Sequence, residues 1–328
     1  MDKKIKLPKI PSLLDTKIYK TGQTRGADDK VIFQNRVGRN STVLIPYDYF
    51  DICSTAPDND GAFEKGFIVL IKPDDYFEVE GFQDEMQDKG LILGINALLF
   101  YETRKQWNSH NPEVHGFTVP NSRTSPLYGE YVARVPSTTS TNDEKITIGF
   151  DTSGLKGAGI RIYEYASLET IKKCRTQLEY YFWLCIDSKE VMLSEGMSEE
   201  DINTRKDSVK LQAENLGLAD RELLIENRII NEDNNCICPF CLEPISANGF
   251  LNRLGQAYGR DVPDLTVTQI NLFHIKELKT GEFNHKPYNL GWGHHHCNVV
   301  VKDAGIDETL KWMSNILKRN SETGFELV

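Results

Sequence analysis

Two stretches near the C-terminal end decide how this chain is read: CICPFC at 236–241 and NLFHIKELKTGEFNHKPYNLGWGHHHCNVVVKD at 271–303. Four of the seven cysteines and five of the seven histidines fall within the 68 positions from 236 to 303. Core packing does not account for so dense a set of soft ligands, whereas a metal site does. Cys238 and Cys241 form a C-x2-C knuckle, in which a tight turn lets two thiolates grip one ion. His294 and Cys297 form a second pair, three apart, and at helical spacing these project from the same face. Three thiolates and one imidazole, supplied as two short pairs, satisfy tetrahedral Zn2+ with every position filled, which makes the site structural. Two alternatives stay open: Cys236 in place of Cys238, and His295 or His296 in place of His294. The x2 spacing in both pairs favours the first assignment. A redox CxxC usually sits beside a βαβ pattern, which is not evident here. A disulfide is disfavoured by the odd cysteine count and the lack of a signal peptide.

Between and just after the zinc pairs lie His274, Asn289 and Asn298. With them the segment resembles the HNH (ββα-metal) nucleases. In that family a zinc knuckle precedes a strand ending in a catalytic His, an Asn-Leu follows, and a helix opens with the second zinc pair followed directly by His or Asn. Here those features read as His274-Ile275, Asn289-Leu290 and Cys297-Asn298, over residues 236 to 303. The resemblance implies metal-dependent hydrolysis of a DNA phosphodiester. His274 would be the general base, a task that suits an imidazole with a pKa near neutrality. Asn298 would help hold one divalent ion, Mg2+, against the scissile phosphate. Asn289 would tie the loop to its neighbour and so orient His274, and zinc would stabilise a unit too small to fold well alone. The residue before the catalytic His, often Asp or His and a second metal ligand in the family, is Phe273 here. That leaves the ion to be held by Asn298, phosphate oxygens and waters, or by another side chain such as His285, a candidate for the active site.

The chain is 328 residues long, long enough for two or three domains, with 39% hydrophobic and 26% charged residues. These are the proportions of an ordinary globular protein. No apolar run approaches the length of a membrane span, and MDKKIKLPKIP lacks the apolar region of an export signal. A cytoplasmic protein with no membrane partner is expected. A net charge of −10 argues at first against nucleic acid. Its distribution weakens the objection, because residues 1–40 hold ten Lys/Arg and four Asp, a local +6, while the other 288 residues carry 28 basic and 44 acidic side chains, −16. Such asymmetry fits a basic arm meeting DNA on an otherwise acidic body. In the segment KIYKTGQTRGADDKVIFQNRVGRN, Lys20, Arg25, Arg36 and Arg39 are candidate DNA contacts, since Arg bonds bidentately to phosphates and guanine edges. Arg253, in the stretch FLNRLGQAYGR at 250–260 that reads as an inserted helix, is a fifth.

Runs such as GFIVLIKP, YFEVEGF, YGEYVARVP, KITIGFD and GIRIYEY between 61 and 165 place β-formers between Gly, Pro and Asp turns. They predict a mainly β region with one helix near 84 to 104. At Ser167 the period changes to helical, and three helices are expected to about 232. A closing amphipathic helix is expected to pack Leu310, Trp312, Met313, Ile316 and Leu317. The resulting expectation is an α+β protein: a β-rich DNA-recognition domain with a basic arm over 1–166, a helical connector and possible dimerisation element over 167–232, and a zinc-stabilised HNH nuclease domain over 233–328. HNH modules carry little sequence specificity of their own, so the large region in front resembles the recognition domain of a Type II restriction endonuclease. The segments KIYKTGQTRG and IFQNRVGRN and the GHHHCN ending are similar to BstXI-type enzymes. The resemblance implies sequence-specific double-stranded DNA cleavage by a homodimer. The alternatives are a modification-dependent endonuclease that flips a methylated base and a catalytically inactive zinc-stabilised DNA-binding protein, for which Phe273 is the supporting feature.

Overall fold

A computed structural model describes residues 7–19, 42–58, 60–122, 124–135, 160–252, 268–302 and 304–323. The chain divides into two compact units: Gly22–Leu168 with Lys279–Phe283, and Met1–Thr21 with Glu169–Leu278 and Asn284–Val328. Among the described residues no helix is long and apolar enough to cross a membrane.

The first unit is built on a five-stranded parallel sheet. Its strands are β1 (Val43–Pro46), β2 (Phe67–Ile71), β3 (Ala97–Tyr101), β4 (Tyr131–Ala133) and β5 (Ile160–Arg161), in the order β4-β3-β2-β1-β5. Short helices lie between successive strands: Phe50–Cys53 before β2, Pro73–Glu78 and Phe82–Asp88 before β3, and Arg104–Ser109 before β4. Both sheet faces are covered. Val43, Ile45, Val69, Ile71, Leu99 and Tyr101 enter one apolar cluster, and their neighbours Leu44, Ile68, Leu70, Leu98 and Phe100 enter another. Burial on both faces is the setting in which parallel strands are stable, and it makes them read as continuous apolar runs such as FIVLI and ALLFY.

This corrects the expectation of a mainly β N-terminal region, because the described strands alternate with helices. Part of YFEVEGF, read as a strand, is the end of the helix PDDYFE. That helix opens with Pro73 at its first turn and Asp74 and Asp75 beside the helix N-terminus, a helix-start pattern. The helix expected near 84 to 104 is instead a helix ending at Asp88, followed by β3. The run KITIGFD lies outside the described residues.

The second unit is mainly helical. Its first helix, Ser12–Tyr19, falls in the basic segment that the sequence reading joined to the N-terminal domain. Leu14 and Ile18 of that helix are buried in this unit's core. Arg205 holds the approach to it, gripping Glu179 through two bonds of 2.5 and 3.0 Å and donating to the Pro8 carbonyl. Lys17 of the same helix donates to Thr268 and, at 2.6 Å, to the Ile270 carbonyl, so one of the arm's charges serves the fold.

A long helix, Leu168–Trp183, runs through the core, with Leu178, Tyr181, Phe182 and Trp183 buried. It is followed by Ser188–Ser194, Glu199–Asn215 and Arg221–Glu226. The side chain of Ser198 caps the second of these by accepting the Asp201 amide at 3.1 Å, and Gly217 just past its end has φ +67°. After the knuckle segment come β6 (Ile270–His274) and β7 (Leu290–His294), an antiparallel pair, then helices His295–Val301 and Ile306–Ser321. The last helix departs from expectation. Its buried residues are Ile306 and Thr309, while Leu310, Trp312 and Leu317 are 38%, 55% and 41% exposed. Met313 and Ile316 are partly buried, so within the described residues the apolar stripe is only partly packed.

Candidate metal and active site

The β6–β7 pair is fixed from behind by the helix Leu168–Trp183. The indole nitrogen of Trp292, at the centre of β7, donates to the Leu178 carbonyl at 2.9 Å. Gln177, 1% exposed, donates to the Leu218 carbonyl and accepts the Tyr288 amide at 2.9 Å, just ahead of β7. Phe250 meets Trp292 and Phe182 edge-on, at 4.9 and 5.3 Å between centroids. The register pairs Ile270 with His294 and His274 with Leu290. His294 therefore sits where β7 passes into the following helix, and His274 ends β6 at the opposite end of the ladder. The order is strand, strand, helix.

The knuckle is a tight turn in which the Cys238 amide donates to the Glu243 carbonyl and the Leu242 amide to the Cys238 carbonyl, both at 2.9 Å. His294 is the N-cap of helix His295–Val301, and Cys297 lies in its first turn. Their donor atoms and those of Cys238 and Cys241 all lie within 4.8 Å of one another. The Cys241 sulfur and His294 Nδ1 are 3.2 Å apart. The electrostatics favour a thiolate at Cys238. Burial opposes it, but His294 and the amides of Cys241, His294 and Phe240 bond to the sulfur, and its pKa falls to about 6. The same contact raises His294, while burial raises Cys241 and Cys297. The alternatives of the sequence reading face elsewhere. Cys236 is fully buried beside Cys185, His295 Nδ1 lies 3.0 Å from Asn271 Nδ2, and His296 is exposed and stacks on His294.

His274 is half-buried at the end of β6. Asn289, 4% exposed, braces the chain around it. Its Oδ1 accepts the Lys276 amide at 2.6 Å, and its Nδ2 donates to the carbonyls of Lys276 and Asn284. Asn298, on the helix after β7, donates through Nδ2 to the Leu272 carbonyl at 3.2 Å, two residues before His274. Phe273 is fully buried in the core. Alternation along a strand sends its side chain away from the face that carries His274. His285, 1% exposed, comes within 3.2 Å of His274, a contact that spacing along the chain does not reveal. Lys20, Arg25, Arg36, Arg39 and Arg253 lie outside the described residues.

A second group of metal-type donors occurs in the sheet unit, where Asp74, Glu78 and His110 also bring ligand atoms within 4.8 Å of one another. The His110 side chain is only 12% exposed and lies 3.0 Å from Glu78. The spacing of Asp74 and Glu78, four apart on one helix, was the available signal.

The family described as "BstXI restriction endonuclease" matches residues 16–295. A solved chain described as "Crystal structure of a type II restriction endonuclease" is similar over 49% of this chain and 56% of that one, with 14% identity and a TM-score of 0.29. The similarity thus spans little more than half of that chain. No curated protein matches.

Proposed function

The chain belongs to the BstXI restriction endonuclease family, and from that premise we propose that it is a site-specific double-stranded DNA endonuclease of Type II whose catalytic module is of the HNH kind. The observation that carries the HNH reading is the strand–strand–helix unit with four zinc-type donors gathered at the knuckle and at the junction of β7 with its helix, and a histidine ending the first strand.

The donor set fits zinc: three sulfurs and one imidazole nitrogen, mutually within 4.8 Å, with amides directed at one thiolate. Cys238, Cys241, His294 and Cys297 would hold the ion as a structural staple between knuckle and helix. Mg2+ keeps several waters and needs few protein ligands when phosphate oxygens complete its shell. Asn298, half-buried and anchored to β6, would supply the amide oxygen. Bound there, the ion would neutralise charge on the scissile phosphate.

The remaining chemistry belongs to the chain. His274 takes a proton from water as the water oxygen bonds to phosphorus. The bond to the 3′ oxygen breaks, and that oxygen takes a proton from solvent, leaving a 5′ phosphate and a 3′ hydroxyl. Asn289 keeps the backbone after His274 in place through its bonds to Lys276 and Asn284. Two strands to cut and one such site per chain favour a homodimer on a two-fold symmetric DNA site. A cluster of thiol ligands suits the reducing cytoplasm.

The test is His274→Ala in the full chain. It is expected to bind cognate DNA with unchanged affinity and to lose cutting by about 100-fold or more. Unchanged cutting removes His274 from the mechanism. Wild-type protein that binds DNA but never cuts it favours the inactive binding module.

A further inference from the structure

The catalytic reading uses His274, Asn289 and Asn298 but leaves unexplained the most buried histidine of the region. His285 is 1% exposed, and its Nδ1 stands 3.2 Å from His274 Nε2, with the rings 5.3 Å apart and tilted by 60°. We propose that His285 is a positioning residue for the general base, accepting a hydrogen bond from His274 Nε2–H and so fixing the tautomer and ring orientation in which His274 acts. The proposal rests on the reading of His274 as base and deepens it.

In a contact of this length between neutral rings one nitrogen donates and the other accepts, which allows two arrangements. If His285 Nδ1 donates, the lone pair of neutral His274 is Nε2. It then lies in the contact, and the Nδ1 proton bars uptake at the other nitrogen. If His274 Nε2 donates, the lone pair of its neutral ring is on Nδ1. A proton can be taken there, and the imidazolium that results keeps its Nε2–H bond to His285, now strengthened by charge. Only the second arrangement lets the pair remain bonded through the proton transfer. A group that bonds the second nitrogen of a working imidazole sets its tautomer and its aim, as carboxylates and carbonyls do elsewhere.

The loop is built to hold His285 still. Asn284, its neighbour, donates to the Glu277 carbonyl at 3.1 Å and accepts from Asn289 at 2.7 Å. The Lys286 amide donates to the Asn284 carbonyl at 2.9 Å, and the Asn289 amide to the Lys286 carbonyl at 3.2 Å. Asn289, whose amide braces both the chain after His274 and the residue before His285, therefore fixes the two rings relative to each other. The bonds around 284–289 orient an acceptor as well as closing a loop.

The experiment combines ring 15N spectroscopy of histidine-labelled full-length protein with single-turnover cutting and DNA binding, for wild type, His285→Ala and His285→Asn. Asparagine places an amide oxygen close to the position of Nδ1, so it can accept the same bond. The expected results are an Nε2–H tautomer of His274 in wild type and in His285→Asn, and a mixture in His285→Ala. His285→Ala should cut about 10- to 100-fold more slowly at unchanged DNA affinity, and His285→Asn should recover most of the rate. An Nδ1–H tautomer of His274 in wild type overturns the inference whether or not either variant folds. Wild-type cutting by His285→Ala overturns it too, as does failure of His285→Asn to exceed His285→Ala. Should His274→Ala still cut, the base reading fails on its own, and the tautomer measurement continues to judge the pair.

Discussion

Adding one methyl group at Gly293 tests how the zinc side of the hairpin is coupled to the catalytic side. Gly293 precedes the ligand His294, and Phe273 precedes His274. A Cβ built on Gly293 falls 2.6 Å from Phe273 Cδ2, 3.1 Å from Cγ and 3.2 Å from Cβ. The backbone of Gly293 is not left-handed, so the penalty of Gly293→Ala is one of space alone. Restoring ordinary carbon contact requires the two strands' side chains to part by about 1 Å. Phe273 is fully buried, packed in the cluster that holds Trp292 and Leu290, and has nowhere to retreat without displacing them. Overpacking of this kind costs about 1–3 kcal/mol, which for a domain of this size lowers Tm by about 2–12 °C. Calorimetry of wild type and Gly293→Ala measures it, repeated on a Phe273→Leu background where the smaller side chain leaves room. The cost should shrink there by about 1 kcal/mol or more, because the residues share one contact. Cutting should slow as well, since either displaced strand carries a site residue. An unchanged Tm for Gly293→Ala, or an equal drop on both backgrounds, refutes the reasoning.

Three further outcomes follow from the geometry. Replacing Phe273 by Asp, the residue type often found before the catalytic histidine in HNH enzymes, should create no metal ligand. It puts an unpaired carboxylate in the core and should cost at least about 3 kcal/mol in urea unfolding, whereas tighter Mg2+ binding would show that the side chain faces the active site. Arg205→Ala leaves Glu179 buried without its partner, both side chains being 12% exposed, and should cost about 3–5 kcal/mol; a loss below about 1 kcal/mol, read from the denaturation midpoint, would contradict the pairing. In metal-free protein the Cys238 pKa of about 6 lies below that of an unfolded thiol. Its stabilising effect is therefore fully present above the unfolded thiol's pKa of about 8.5 and is lost as pH falls from there to about 6, so Tm should drop between about pH 8.5 and 6 in wild type, and Cys238→Ser should remove that part of the dependence.

Local features were readable from sequence and nonlocal ones were not. The knuckle at Cys238 and Cys241 and the pair His294 and Cys297 are each set within four residues, so spacing alone singles out four side chains whose donor atoms the fold brings within 4.8 Å of one another. The cap at Ser198 and the stop at Gly217 are local in the same way. The parallel sheet was missed because FIVLI and ALLFY are short apolar runs, which a strand buried on both faces shares with other core segments, and because strand order is set by pairing across the whole region. The helix opening PDDYFE did carry its own signal, in Pro73 and two acids, but the aromatic and β-branched residues that follow outweighed it. Contacts such as His274 with His285 depend on how a loop folds back. The exposed face of helix Ile306–Ser321 shows the limit of periodicity: it identified an amphipathic helix and said nothing about what covers its apolar side.

The HNH assignment is decided by one incubation. Purified full-length protein, loaded with zinc, is mixed with unmethylated phage DNA in the presence of Mg2+ or of EDTA, and the products are resolved on a gel and their ends sequenced. A site-specific HNH endonuclease gives discrete bands only with Mg2+, each end carrying a 5′ phosphate and a common short sequence, and none with His274→Ala. Discrete bands from His274→Ala at the wild-type rate, or no cutting by the wild-type protein of either unmethylated or methylated DNA, would contradict it.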